Sequence, residues 1–185
     1  MPRLFVAIEL PERVKDSLVA LQTPLPGARW VGREQMHLTL RFIGADVPEA
    51  QVTPIQDALA QVQAESFPMT VRDVGRFPPG KRAAQVLWAG VATNPALGWL
   101  HRSIETALAG VGFAPEARDF HPHITLARLK NNRPVPEVSQ FLADNATFAT
   151  EPFLVDRFFL IRSTLTGQGP QYQHEAIYEL TQGDH

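Results

Sequence analysis

The sequence contains no cysteine, no long uninterrupted apolar segment and no excess of basic residues. Without cysteine, the fold cannot depend on disulfides, and thiolate zinc sites and cysteine nucleophiles are excluded. The opening apolar run is too short, and too soon followed by charge, for a signal peptide or a spanning helix, so we expect a cytoplasmic protein without membrane contact. A formal net charge of -2 argues against a broad basic surface for nucleic acid, so any phosphate should be held by a few groups at one site.

The length and the apolar pattern predict one compact α+β domain over residues 1–185. Alternating or dense apolar residues predict strands at 4–10, 36–43, 67–74, 85–92, 123–129, 153–161 and 171–180. Three- and four-residue apolar spacing predicts helices at 11–23, 48–64, 95–109 and 137–143. We expect mixed or antiparallel sheets with helices on their outer faces.

One tetrapeptide pattern occurs twice, as His37-Leu38-Thr39-Leu40 and as His123-Ile124-Thr125-Leu126. Both copies lie in predicted strands, where a period of two places the His and the Thr of each copy on the same face. Phe5 precedes His37 by 32 residues, and Leu87 precedes His123 by 36. Each copy therefore ends a strand-helix-strand unit, which favours an internal duplication with a pseudo-two-fold relation that brings the two motifs together.

Two imidazoles and two hydroxyls at one cleft suit phosphodiester cleavage. One imidazole can accept a proton while the other donates one, because the ordinary pKa of histidine is about 6.5. Thr hydroxyls can donate hydrogen bonds to phosphate oxygens, and an arginine can offset the charge of the transition state. Arg128 can take this charge-compensating role only if a bulge or the strand end turns its side chain into the cleft, because strict alternation places it on the opposite face. Arg41 shares the face of His37 by alternation and is predicted either to line the groove or to be solvated.

Other histidines and aromatic residues have more than one interpretation. His121 and His123 form an H-x-H pattern, but Pro122 interrupts it and no third metal ligand stands at a recognisable spacing. His101, His174 and His185 are expected at the surface or the terminus. Three aromatic residues near the motifs are candidates for a base-stacking surface, with core packing as the favoured alternative; they are Trp30, Phe42 and Phe120.

Long stretches of the chain resemble one known family, the two-histidine phosphoesterases, and within it the bacterial and archaeal RNA 2′,3′-cyclic phosphodiesterases, historically called 2′-5′ RNA ligases. The resemblance lies in the opening strand, in both motifs with their flanks, in the central strand and in a late S-x-L-x-x-x-G-P-x-Y pattern. The segments are RLFVAIELP (3–11), RWVGREQMHLTLRFIG (29–44), FPPGKRAAQVLWAGV (77–91), FHPHITLAR (120–128) and Ser163 to Tyr172.

The resemblance implies a bilobal, pseudo-two-fold fold with two sheets lining a central groove. It implies metal-independent hydrolysis of RNA 2′,3′-cyclic phosphate ends, or of nucleoside 2′,3′-cyclic phosphates, to 2′-phosphomonoesters. We expect a monomer with no cofactor and no obligatory protein partner. His37 and His123 match the family's catalytic positions. Thr39, Thr125 and Arg128 match its phosphate-binding positions. In our hypothesis His123 activates water and His37 protonates the leaving 3′ oxygen.

Four alternatives share these motifs, three of them enzymes. A relative could act on 2′-5′ linkages or on ADP-ribose cyclic phosphate, or could work as a reversible 2′-5′ RNA ligase. A module that binds phosphorylated RNA ends without turnover is the alternative outside enzymes. Binding requires positive charge but no matched acid and base, so the presence of both histidines favours an enzyme.

Overall fold

The computed structural model describes residues 1–182, so His185 lies outside the described residues. The strands are β1 (Arg3–Glu9), β2 (Ala28–Trp30), β3 (His37–Gly44), β4 (Phe67–Met69), β5 (Val71–Phe77), β6 (Val86–Val91), β7 (His123–Leu129), β8 (Phe153–Val155), β9 (Arg157–Thr166) and β10 (Gly169–Glu179). The helices are α1 (Glu12–Val19), α2 (Glu49–Ala60), α3 (Pro95–Ala109) and α4 (Pro136–Asp144), with a 3₁₀ turn at Arg33–Gln35. The α+β class predicted from the sequence is confirmed.

Eight strands form one antiparallel sheet in the order β10-β9-β1-β3-β7-β6-β5, with β2 also pairing to β7. The two groove-lining sheets expected from the resemblance are the two halves of this sheet. They join where β3 meets β7, at the single residue pair Leu38–Ile124 among the described residues. The two motif strands are therefore direct neighbours.

The main core lies on one face of this sheet and the motifs lie on the other. Leu4, Val6 and Ile8 of β1 point into the main core with the buried residues of all four helices. Phe5 and Ala7, at the alternate positions, belong to a smaller cluster on the motif face. β1 is therefore buried on both faces, which explains its continuous apolar sequence.

Helix α3 supports the sheet from the core side. Its buried residues Leu97, Leu100, Ile104 and Leu108 recur at three- and four-residue steps, as the sequence predicted. The helix begins after Asn94, whose side chain accepts a hydrogen bond from the backbone N–H of Leu97 at 3.3 Å.

Two predicted strands are each divided between two sheets. The stretch 67–74 supplies β4 and β5, and the stretch 153–161 supplies β8 and β9. β4 pairs with β8 in a separate two-stranded sheet, and the chain then crosses into the large sheet on each side. An apolar run indicates that a segment is buried, but not which sheet it hydrogen-bonds to. Apolar periodicity therefore could not show where β4 ends and β5 begins, or where β8 ends and β9 begins. The strand β2 was also missed, because it has three residues.

A buried ion pair ties motif strand β3 to helix α3. Arg41 is 7% exposed and donates to both carboxylate oxygens of Glu105, at 2.8 and 2.7 Å. The same guanidinium donates to the carbonyl oxygen of Ala114, while Glu105 accepts from the backbone N–H of Glu116. The pair thereby also holds the loop that leads towards the second motif.

We expect Glu105→Ala to lower the free energy of unfolding by about 3–5 kcal/mol, because it leaves the Arg41 charge buried without its main partner. Urea denaturation measures this change. Glu116→Ala is the matched control: the Glu116 carboxylate lies 3.6 Å from Arg41 but its side chain is 46% exposed, so a loss below about 1 kcal/mol is expected. Equal losses in the two variants would contradict the assignment of Glu105 as the main partner of Arg41.

Candidate functional site

The site forms where the two motif strands meet. Leu38 and Ile124 are paired and point into the main core. Their neighbours His37 and Thr39 on β3, and His123 and Thr125 on β7, are half-buried on the opposite face. Because paired strands lie about 5 Å apart, all four polar side chains share one small region of the sheet.

The same bulge follows the Thr of both motifs. In β3, Thr39 pairs with Ala7 but Arg41 pairs with Val6, so Leu40 has no partner in β1. In β7, Thr125 pairs with Trp88 but the next paired residue is Ala127, so Leu126 has no partner in β6. An extra residue shifts the alternation by one, so the fourth residue after each His turns to the core and the fifth to the motif face.

The bulges determine on which face of the sheet the side chains of Arg41 and Arg128 lie. Arg128 is the fifth residue after His123, so it is exposed on the motif face. The bulge is the feature that the sequence analysis required for this orientation. Arg41 is the fourth residue after His37, so it is buried against Glu105. The prediction that Arg41 lines the groove or is solvated is wrong, because strict alternation does not hold across a bulge.

Both imidazoles are fixed by equivalent backbone contacts. Nδ1 of His37 lies 2.7 Å from the carbonyl oxygen of Gln35, and Nδ1 of His123 lies 2.7 Å from that of His121. A carbonyl oxygen only accepts, so Nδ1 carries the hydrogen in both rings. Nε2 is then the nitrogen that gains or loses a proton. In His37 it lies 2.9 Å from Oγ1 of Thr39.

Burial and neighbouring charges lower the pKa of both imidazoles. Burial lowers the pKa of His37, opposed by the hydrogen bond to Gln35 and the charge of Glu9 and reinforced by His123 and Arg128. Burial also lowers the pKa of His123, and the charge of Arg128 lowers it further. The charge of one guanidinium therefore acts on both imidazoles.

Aromatic rings surround each imidazole. Phe5 stacks on His37 with ring centroids 4.8 Å apart, and Tyr172 meets the same ring edge-on at 5.4 Å. Phe77 meets His123 edge-on at 5.2 Å. Such contacts restrict ring rotation and exclude water from one side of each imidazole.

Of the three predicted stacking residues, only Phe42 reaches the motif face. It is the fifth residue after His37, is 36% exposed and lies beneath the Arg3 guanidinium, 4.5 Å from the ring centre. Trp30 and Phe120 both pack against the main core, where Trp30 contacts Phe141 and Phe120 stacks on His101 at 4.0 Å. Core packing, the favoured alternative, describes these two residues.

The other histidines also have defined contacts. His101 is largely buried beside Glu105 rather than at the surface. His174 is partly exposed, as expected, and pairs with Glu9. His121 lies next to His123 with ring centres 5.8 Å apart and contacts Trp88 and Phe77. Within residues 1–182, no three His, Cys, Asp or Glu side chains are grouped to hold a metal ion.

Two residues near the motifs were not identified from the sequence. Glu9 pairs with His37 across β1 and β3, whereas Gly90 takes the equivalent place opposite His123. Trp88 stands beside Thr125 on β6, and its Nε1 is the one buried side-chain N or O atom without a partner in the described part of the chain. Strand register would have revealed both, but register requires the positions of the bulges.

No helix in the described range 1–182 has the length and apolar character needed to cross a membrane.

Curated proteins of several organisms resemble this chain over nearly its whole length. A Thermotoga maritima protein named RNA 2′,3′-cyclic phosphodiesterase is 36% identical over 183 residues, which cover 96% of this chain and 94% of the relative. An Aeropyrum pernix protein of the same name is 35% identical over 169 residues, with 91% and 92% covered.

Solved structures show the same fold. Escherichia coli LigT complexed with 3′-AMP superposes with a TM-score of 0.80 at 26% identity, covering 98% of this chain and 100% of the other. The Thermus thermophilus protein TT0787 gives a TM-score of 0.78 at 28% identity, with 99% and 100% covered. The sequence model of the 2′-5′ RNA ligase superfamily matches residues 10–167, a stretch that includes both motifs. The chain therefore belongs to the 2′-5′ RNA ligase superfamily.

Proposed function

We propose that this protein hydrolyses RNA 2′,3′-cyclic phosphate ends, and nucleoside 2′,3′-cyclic phosphates, to 2′-phosphomonoesters. The observation that carries the proposal is the pair of imidazoles on adjacent strands, each with Nδ1 on a backbone carbonyl, so that Nε2 is the nitrogen that exchanges a proton. The Thermotoga and Aeropyrum relatives, named RNA 2′,3′-cyclic phosphodiesterases, support the substrate class.

In this reaction His123 is the general base and His37 the general acid. Nε2 of neutral His123 takes a proton from water as the water oxygen bonds to phosphorus. The bond between phosphorus and O3′ breaks, and protonated His37 gives its Nε2 proton to O3′. The products are a 2′-phosphomonoester and a free 3′ hydroxyl. Each positioned acid or base contributes roughly 10²–10⁴ in rate.

Glu9 supports this order of the two histidines. Its carboxylate faces His37 across β1 and β3 and favours the imidazolium form, whereas His123 faces Gly90 and has no carboxylate among the causes of its pKa shift. Burial has the larger effect and leaves the pKa of His37 lowered overall, and the charge of Glu9 partly restores the protonated form that a general acid needs.

Three further side chains bind the phosphate in this proposal. The hydroxyls of Thr39 and Thr125 donate to non-bridging oxygens, and Arg128 offsets the charge that develops on the pentacoordinate phosphorus. In the described range, the Arg128 side chain makes no hydrogen bond or ion pair with the protein, so its guanidinium N–H groups are free for a phosphate. Phe42 supplies an exposed ring for a base. The cytoplasmic location and the monomeric state stay predictions.

Removing either imidazole should lower kcat for adenosine 2′,3′-cyclic phosphate at least ~100-fold, because each supplies proton transfer. Chromatographic detection of 2′-AMP measures both the rate and the regiochemistry. His101→Gln is the control, since His101 stacks on Phe120 on the core side. His37→Ala and His123→Ala variants within tenfold of the parent would exclude this scheme, and binding without turnover by the parent would favour the RNA-end-binding module.

Activity should survive EDTA, because two imidazoles and an arginine supply proton transfer and charge compensation. Rates are measured before and after dialysis against the chelator. Loss of activity that a divalent ion restores would instead indicate a metal-dependent reaction.

The plot of kcat/KM against pH should be bell-shaped with its maximum below pH 6.5, since both imidazoles have pKa values lowered from 6.5. Below both pKa values no neutral base remains, and above both no protonated acid remains. Glu9→Gln removes a charge that raises the pKa of His37, so the alkaline limb should move to lower pH. A shift of the acidic limb alone in Glu9→Gln would instead make His37 the base. Glu137→Gln is the control: Glu137 is exposed on α4, so this variant should move neither limb.

A further inference from the structure

Three basic side chains form a shelf beside the imidazoles. Arg29 of β2 and Arg128 of β7 are direct cross-strand partners, so both side chains leave the same face of the sheet. Lys130 follows two residues after Arg128. We call Arg29, Arg128 and Lys130 the basic shelf. Like charges directly opposite each other destabilise a sheet, which makes the Arg29–Arg128 pair unusual unless an anion lies between them.

The protein does not neutralise this shelf. Over residues 1–182, none of its three side chains makes a hydrogen bond or ion pair with another residue. The three chain segments that build the region contain no Asp or Glu at all; they are residues 17–33, 74–104 and 120–136. The carboxylates that give the chain its net charge of -2 therefore lie elsewhere in the sequence.

A surface cavity extends the shelf away from the imidazoles. It has a volume of about 400 Å³ and is lined by two basic, three amide and two apolar residues: Arg128, Lys130, Gln85, Asn131, Asn132, Val86 and Leu129. Arg128 therefore borders two spaces, the motif face on one side and this cavity on the other. Its charge shifts the pKa of both imidazoles, whereas Arg29 and Lys130 contribute no such shift.

We propose that the basic shelf binds the phosphate on the 5′ side of the terminal nucleoside, so that the site prefers an RNA end to a cyclic mononucleotide. Arg128 contacts the cyclic phosphate. Arg29 lies about 5 Å away across the strands, and Lys130 about 7 Å along the chain, which is one step farther from the imidazoles. An RNA strand carries one charge per nucleotide, so its next phosphate meets this second set of cations. This inference rests on the proposed function.

The test compares three substrates: adenosine 2′,3′-cyclic phosphate, the same nucleotide with a 5′-phosphate, and the dinucleotide ApA with a 2′,3′-cyclic end. The parent should hydrolyse the two larger substrates with kcat/KM about tenfold higher than the first, because each supplies the additional phosphate. Arg29→Gln and Lys130→Gln should each reduce that advantage by severalfold and lower the salt dependence of binding by about 0.7 in log–log slope. A gain limited to the dinucleotide would assign the preference to the extra base and overturn the proposal.

Arg102→Gln is the matched control, because Arg102 is an exposed arginine on α3 that lies over Trp99. It should leave the ratio between the substrates as in the parent. Equal losses on all three substrates in Arg29→Gln would place Arg29 at the cyclic phosphate and overturn the shelf. Failure of the parent to hydrolyse any of them would instead overturn the proposed function. Melting temperatures check folding, and Arg29→Gln should not lower the value because it removes a like-charge pair.

Discussion

The pairing of Leu38 with Ile124 is the contact on which the site depends. These two apolar residues anchor the motif strands to the main core and to each other, and the alternation of a strand then sends the neighbouring His and Thr side chains to the other face. Burying Leu38 and Ile124 therefore also brings the His and Thr side chains of the two motifs together. A one-residue slip of either strand would exchange the core set for the polar set, so the hydrophobic core itself fixes the register.

The bulge after each motif adds a second level of control. It places the fourth residue after each His in the core and the fifth on the motif face. In the first motif those residues are Arg41 and Phe42, and in the second they are Ala127 and Arg128. Identical backbone geometry therefore yields a buried structural arginine on one side and a free arginine on the other.

The two halves of the sheet are alike in backbone but differ in charge. Glu9 faces His37 and Gly90 faces His123, while Arg29 and Arg128, whose side chains make no hydrogen bond or ion pair within residues 1–182, stand on β2 and β7. Two imidazoles related by perfect symmetry would have equal pKa values and no assigned roles. In the proposed reaction, these differing neighbours separate the ring that acts as acid from the ring that acts as base.

The spacing of apolar residues predicted most helices and strands, because it indicates which face of an element is buried. The helical spacing in α3 and the alternation in β7 are examples. The predictions failed where the outcome depends on distant partners. Residues 67–74 and 153–161 were each taken as one strand, since no local signal tells which sheet will supply the hydrogen bonds. Arg41 was misplaced because a bulge arises from pairing with β1 and is invisible in β3 alone.

The sequence by itself determined the secondary-structure class, the two His-x-Thr strands and the family, because these depend on residue type and spacing. Tertiary structure decided that the motifs are neighbours, which arginine reaches the groove, and that Trp30 and Phe120 pack in the core. The physical reason is that side-chain direction in a sheet follows from register, and register is set by the packing of strands that are far apart in the chain.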